Sequence, residues 1–191
     1  MERLVIVPDE QVDRFALQAR LRAIAGEVKA ENLAYLMGEQ SARVLLNGMH
    51  ATEKQEVLVW GRSDRSFLVS WTSLTPLEEV AGVLASDHEE GLVSQVFESG
   101  QTVVQNADEL RGATWTNLTE IRGRAIGSMA GAPVSLFGRP TAVLTLVGYR
   151  EGDAPGYLSF EDAARLTRVA SLLARLLEDR LIRAALGLET L

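Results

Sequence analysis

The chain of 191 residues contains no cysteine, and this absence removes more chemistry than any other feature of its composition. Without a thiol there is no disulfide framework, no cysteine nucleophile, no thiolate metal site and no thioether to anchor a prosthetic group. Lysine is almost as scarce, with only Lys29 and Lys54, and the formal net charge is −7. A phosphate-backbone partner needs clustered lysines and arginines, so nucleic-acid binding is not expected. The arginines that are present are interleaved with carboxylates, notably along the last predicted helix, as on solvated faces. No segment runs eighteen apolar residues without a charge or a turn signal, and no membrane span is expected. The opening MERLVIVPDE has an acidic second residue and too short an apolar run for a signal peptide. A cytoplasmic location is the default reading, although missing thiols are compatible with either redox compartment.

Histidine is limited to His50 and His88. His50 follows a short apolar run ahead of a polar turn. His88 sits in the acidic stretch Ser86-Asp87-His88-Glu89-Glu90, with no second ligand beside it. Both read as solvated residues rather than a general base or a haem ligand. No GxSxG, HExxH, P-loop or GxGxxG spacing occurs. Gly123-Arg124-Ala125-Ile126-Gly127 precedes a strand instead of opening a helix, so it does not form a dinucleotide cradle. No catalytic residue, metal site or cofactor is therefore assigned.

Hydrophobic residues make up 47% and charged residues 24% of the chain, enough apolar material for one core without staples. The first helical pattern opens after Pro8, with Asp9 placed to cap it. It carries Val12, Phe15, Ala16, Ala19, Ile24 and Val28, then Leu33, Leu36 and Met37. Gly26 can kink or divide this helix at about 1 kcal/mol relative to alanine, and Gly38 can stop it. Three β candidates follow: Ala42 to Met49, Glu56 to Arg62 and Ser66 to Thr72. The last alternates with Phe67, Val69 and Trp71 on one side. Leu77 to Leu84 reads as a weak helical turn.

Gly91 to Ser99 is a short amphipathic helix with Leu92, Val93, Val96 and Phe97 on one face, closed by Gly100. Thr102 to Gln105 is a short strand, and Asp108 to Arg122 is a helical linker carrying Leu110, Trp115, Leu118 and Ile121. Ser128 to Phe137 and Thr141 to Tyr149 are the longest β runs, expected to pair through a Gly138-Arg139-Pro140 turn. Pro133 cannot donate to a ladder, which calls for a bulge or an unpaired edge there. Ser159 and Asp162 mark the start of the last helix in a near capping-box arrangement. That helix reaches about Leu186, roughly 40 Å long at 1.5 Å per residue.

This order, with the helix-then-glycine of Gly91 to Gly100, Ser128 opening a strand, Pro133 within it, Gly138 in the hairpin and a terminal helix from Phe160, resembles a GAF domain, a small-molecule sensing and dimerisation module. The resemblance covers about Gln11 to Arg183 and rests on order and spacing, its individual motifs being short. One departure is that Asn106 stands where an aspartate often follows the short strand, with Asp108 displaced. The resemblance implies an α+β fold with a central antiparallel sheet of five to six strands. Long N- and C-terminal helices would pack on one face and short helices and loops on the other. Residues 1–10 would form an extension, 11–183 the domain and 184–191 the helix end and tail. Family uses that need cysteine, sulfoxide reduction and covalent tetrapyrrole attachment, are excluded by composition. The cyclic-nucleotide signature is matched only by Phe160-Glu161-Asp162, which reads more simply as a capped helix start.

Two readings of the core remain open. Ser128, Ala130 and Ala132 are small and share one strand face, so Trp71, Phe97, Trp115 and Leu118 could wall a ligand pocket around them. Alternatively the large aromatics simply fill the space. On the last helix Leu166, Val169, Leu173, Leu176 and Arg180 trace one seam, while Ala170, Leu172, Leu177 and Leu181 widen the apolar surface. A helix with two apolar sides usually has two neighbours, so homodimerisation through this seam is expected. The function expected is a non-enzymatic regulatory or sensory domain, acting on a separate signalling protein and taking a small molecule between the sheet and residues 91–122. A ligand-free interaction module is the alternative; a haem-type sensor or an enzyme fits less well.

Overall fold

A computed structural model describes residues 14–37, 40–49, 54–64, 66–73, 84–86, 91–106, 120–121, 124–150 and 157–186. Three helices open the chain: α1 (Arg14–Glu27), α2 (Ala30–Leu36) and α3 (Gln40–Asn47). The strands β1 (Gln55–Arg62), β2 (Ser66–Thr72) and β3 (Leu84–Ser86) follow, then α4 (Leu92–Ser99) and β4 (Val103–Asn106). The chain continues through β5 (Glu120–Ile121), β6 (Arg124–Leu136) and β7 (Arg139–Tyr149) to α5 (Phe160–Ala185). Six strands form an antiparallel sheet in the order β3-β2-β1-β7-β6-β4, and β5 pairs with the beginning of β6. The two longest strands, β6 and β7, therefore lie near the centre of the sheet, and the expected α+β architecture is present.

The β6–β7 hairpin is closed by the two residues Phe137 and Gly138, with Leu136 opposite Arg139. Both have positive φ, 51° and 79°, as a tight turn matched to strand twist requires. The turn thus lies one residue earlier than the Gly138-Arg139-Pro140 reading. A left-handed phenylalanine is unfavourable by itself. Here its backbone N–H is taken up by the Glu178 carboxylate of α5, which ties the hairpin to that helix. Pro133 sits opposite Val143, past Gly131, where the pairing with β4 ends. The ladder irregularity falls one residue later, between Val134 and Ser135.

Two sequence expectations are corrected in the N-terminal third. The span Ala42 to Met49 is not a strand: it is α3 and its exit, with Ala42, Leu46 and Met49 buried. Those spacings of four and three are helical, and they outrank the apolar composition that suggested a strand. The single helix from Asp9 to Met37 is instead α1 and α2, separated at Val28 and Lys29, with residues before 14 outside the described set. Leu21, Ala25 and Val28 face the core, whereas Phe15 is 86% exposed and Ala16 and Ala19 are also exposed. Gly26 lies within α1, and the break follows it. The Lys29 ammonium reaches Asp64 at 2.6 Å, linking the helix junction to the β1–β2 turn.

Helices α1, α2, α3 and α5 lie on one face of the sheet. Ala25, Leu33, Leu36, Leu46, Leu166, Leu173 and Leu177 form one core with Val57, Val59, Ala130, Ala132, Val134 and Leu144. Close approach of α2 depends on Gly61: a Cβ there would stand 2.5 Å from the Ala30 Cα. The Ser70 hydroxyl also donates to the Ala30 carbonyl at 3.0 Å. On the opposite face α4 packs on β6 and β7, making a second core of Leu58, Trp60, Phe67, Val69, Met129, Val143 and Val147 with Leu92, Val93 and Val96. No helix among the described residues is long and apolar enough to cross a membrane.

Candidate functional site

Strand alternation decides which side chains can meet. Along β6, Ala130 and Ala132 are fully buried beneath α5 in the first core, while Met129, just before them, turns to α4 in the second. Ser128, also fully buried, lies on the same side of the alternation as Ala130. Trp71 is partly buried against the α5-side core, paired across from Val59. Phe97 lies on the other side of the sheet, where its ring meets Phe67 edge-on at 5.2 Å and Arg62 stands 5.5 Å above it. The small residues Ala130 and Ala132 therefore do not share a cavity with Phe97, because a sheet separates them. They make room for α5. Trp115 and Leu118 lie outside the described residues. His50 and His88 do also.

The seam on α5 is corrected in the same way. Leu166 and Leu173 are fully buried in the chain's own core, in a stripe with Ala163, Ala170, Ala174, Leu177 and Leu181. Arg180 donates to the Leu36 carbonyl at 2.9 Å, so it braces α2. Val169 is half-buried against that same core, Leu176 is half-buried, and Leu172 is 47% exposed. The N-terminus of α5 has the anticipated reciprocal cap: Ser159 Oγ accepts from the Asp162 N–H at 3.2 Å, and the Asp162 carboxylate accepts from the Ser159 N–H at 2.8 Å. Asn106, the residue that departs from the family pattern, accepts from the Leu158 N–H at 3.2 Å. It thereby fixes the chain's entry into α5.

The α4 face of the sheet carries a group that periodicity did not single out. Glu56 alternates with Val57 and so points to the side of Leu58 and Trp60, although it is only 1% exposed. Its two carboxylate oxygens accept hydrogen bonds from the hydroxyls of Thr72 and Tyr149, one each. Three strands are thus pinned at one end of the sheet, β1 by Glu56, β2 by Thr72 and β7 by Tyr149. The Arg124 guanidinium lies 3.8 Å over the Tyr149 ring, a cation–π arrangement at the same end. Nearer the middle, the Trp60 indole N–H donates to Thr145 Oγ1 at 2.8 Å, both side chains being buried.

Toward β4 the polar groups are less well matched. Gln105 Nε2 donates to Gln95 Oε1 at 3.5 Å, but its own Oε1 and the Ser94 Oγ of α4 are buried without a hydrogen-bond partner. Buried polar atoms are normally paired, and each lost pairing costs about 1–3 kcal/mol. Close seating of α4 is set by Gly131, where a Cβ would stand 2.7 Å from Leu92 Cδ2 and 2.9 Å from Val96 Cγ2. The face as a whole is apolar, with a carboxylate at one end and amide and hydroxyl groups under one helix. Among the described residues no group of three or more histidines or carboxylates is placed to hold a metal ion. The signal for Glu56 was its charge at an inward position of the alternating run Glu56 to Arg62.

No family model matches the chain, and no curated sequence does. Solved structures do match. The GAF domain of a phosphoenolpyruvate-protein phosphotransferase from Coxiella burnetii aligns over 90% of this chain and 96% of its own, with a TM-score of 0.59 and 14% identity. The equivalent domain from Acinetobacter aligns over 91% and 96%, with a TM-score of 0.56 and 18% identity. The chain has a GAF fold. The same fold is shared by the free methionine-R-sulfoxide reductase fRMsr of Staphylococcus aureus, which aligns over 91% of this chain and 99% of its own. Its TM-score is 0.54 and its identity 13%. The GAF fold therefore serves both regulatory domains and an enzyme, and the choice for this chain depends on its own residues.

Proposed function

We propose that this GAF-fold chain is a non-enzymatic regulatory domain that homodimerises in the cytoplasm and binds a small molecule on the α4 face of its sheet. The observation that carries the reading is Glu56, a buried carboxylate held by Thr72 and Tyr149 on an otherwise apolar face. A ligand there would present a hydrogen-bond donor or a cationic group to the carboxylate and its apolar body to Trp60 and Val69. The unpartnered Gln105 and Ser94 oxygens under α4 supply further acceptors. Against catalysis stands the absence of cysteine, which removes a thiol mechanism from a fold that supports sulfoxide reduction in other proteins. Binding would act on a separate signalling protein by favouring one of two arrangements of α4 on the sheet, which requires unequal affinity for the two.

Native mass spectrometry of the protein purified under gentle conditions tests this reading. The expected result is a retained small molecule whose occupancy falls in Glu56→Gln and Tyr149→Phe. A ligand-free spectrum from wild type, together with unchanged partner binding by both variants, would favour the ligand-free interaction module instead.

A further inference from the structure

Strand register brings four side chains into one line across the α4 face. Gln105 of β4 pairs with Met129 of β6, Met129 with Val147 of β7, and Val147 with Glu56 of β1. Residues directly opposite each other in antiparallel strands share a face, and Met129 and Val147 belong to the α4-side core. The line therefore reads acceptor, apolar, apolar, acceptor, and its apolar middle is buried. At one end Gln105 Nε2 donates to Gln95, while Gln105 Oε1 is buried without a partner. At the other stands the Glu56 carboxylate, holding Thr72 and Tyr149 on separate oxygens. A carboxylate offers about four lone-pair sites, so two hydroxyls do not exhaust it. Leu92 and Val96 of α4 come down at Gly131, two residues further along β6, which sets the helix at the border of the line.

We propose that this line seats a linear amine whose far end carries a neutral hydrogen-bond donor, an amide or a hydroxyl, with an apolar chain between. The inference rests on the ligand site proposed above and adds the class of molecule it takes. A buried carboxylate favours a counter-charge, which assigns the ammonium group to Glu56. Gln105 presents a neutral carbonyl, and a second cation there would be desolvated without a counter-charge. A neutral N–H or O–H satisfies the same oxygen without that cost. Met129 and Val147 face the methylenes between the two ends. A carboxylate at the far end would set its oxygens against Gln105 Oε1 with no proton between them, so a linear amino acid is rejected. Three strand spacings of about 4.8 Å put the ends of the line about 14 Å apart. With a hydrogen bond of about 2.9 Å at each end, the ligand's two polar groups are separated by roughly 9 Å or more.

Isothermal titration calorimetry of the full chain tests this with aminooctanamide, aminobutanamide, octylamine and aminooctanoic acid as probes. Octylamine lacks the distal donor, aminobutanamide is too short to span the line, and aminooctanoic acid carries a carboxylate in place of the amide. Aminooctanamide is expected to bind wild type about tenfold more tightly than each of the others, the effect of one hydrogen bond to a buried acceptor. Gln105→Met keeps the side-chain length and removes the amide. It should erase the advantage of aminooctanamide over octylamine while octylamine still binds, whereas Glu56→Gln should weaken both. The comparison among probes is made on wild type, so it does not depend on the folding of either variant. Equal affinity of wild type for octylamine and aminooctanamide, or an advantage that survives in Gln105→Met, overturns the line. Loss of both amines in Glu56→Gln would then leave the Glu56 site standing. Failure of every probe to bind also overturns the inference, and the native mass spectra described above decide separately whether Glu56 holds another ligand.

Discussion

Glu56 is the residue on which the functional reading turns, and its neighbours show what a buried polar group requires in this sheet. The carboxylate is matched by two hydroxyls, and the Trp60 indole by Thr145. Replacing Thr145 by valine keeps the shape and leaves the indole N–H without its acceptor. The expected cost is about 1–3 kcal/mol, a fall in Tm of about 2–4 °C per kcal/mol for a domain of this size, read by thermal denaturation. The Lys29–Asp64 pair behaves differently because both side chains are exposed. The hydrogen bond from Lys29, reinforced by its charge, holds the Asp64 carboxyl below its ordinary value. A depressed carboxylate contributes above the unfolded pKa and loses that contribution as pH falls through the folded one. An exposed pair contributes little. Lys29→Ala should therefore return the Asp64 titration, followed by NMR, to the ordinary aspartate range without moving Tm measurably at neutral pH. The charges of Glu56, Lys29 and Asp64 were visible in the sequence. Which charges were buried was not, because that depends on strands distant in the chain meeting in register.

At the scale of elements, the sequence disclosed periods more faithfully than it disclosed neighbours. The capped start of α5 at Ser159 and the short helix before Gly100 appear where their patterns place them, while the two long strands open earlier than expected, β6 at Arg124 instead of Ser128 and β7 at Arg139 instead of Thr141. Misreading Ala42 to Met49 as a strand came from weighing its apolar content over the spacing of Ala42, Leu46 and Met49. Strand alternation was legible too, but it cannot say which helix covers which face. Ala130 and Ala132 are small because α5 crosses β6 there, and Gly131 is bare because α4 crosses the other side. Adding a methyl at Gly131 should separate α4 from the sheet. Gly131→Ala is expected to cost about 1–3 kcal/mol by overpacking, with enhanced hydrogen exchange confined to α4 and β4. Leu173→Arg should unfold the chain, since it would bury an unpaired charge at a cost of several kcal/mol. Loss of the cooperative thermal transition would show this, whereas a folded monomer would return Leu173 to an interface.

The molecule as a whole divides its labour between the two faces of one sheet. One face is committed to α1, α2, α3 and α5, and α5 turns its remaining side outward. Leu172→Arg is accordingly expected to abolish dimerisation in sedimentation experiments while leaving the far-ultraviolet circular dichroism of wild type. For the proposed homodimer, Tm should also rise with protein concentration, and that dependence should vanish in the variant. The other face holds Glu56, Thr72 and Tyr149 at one end and α4 at the other, and the regulatory reading requires that this face accept a ligand. The GAF fold by itself does not decide the matter, because regulatory domains and a reductase share it. The most direct measurement is a thermal-shift screen of wild type and Glu56→Gln, run in parallel against a library of small amines, amides and nucleobases. The expected result is at least one compound that raises the wild-type Tm in a dose-dependent way and has a much smaller effect on a folded Glu56→Gln protein. A compound that stabilises both proteins equally, or a library that shifts neither, would contradict a Glu56-anchored sensory site.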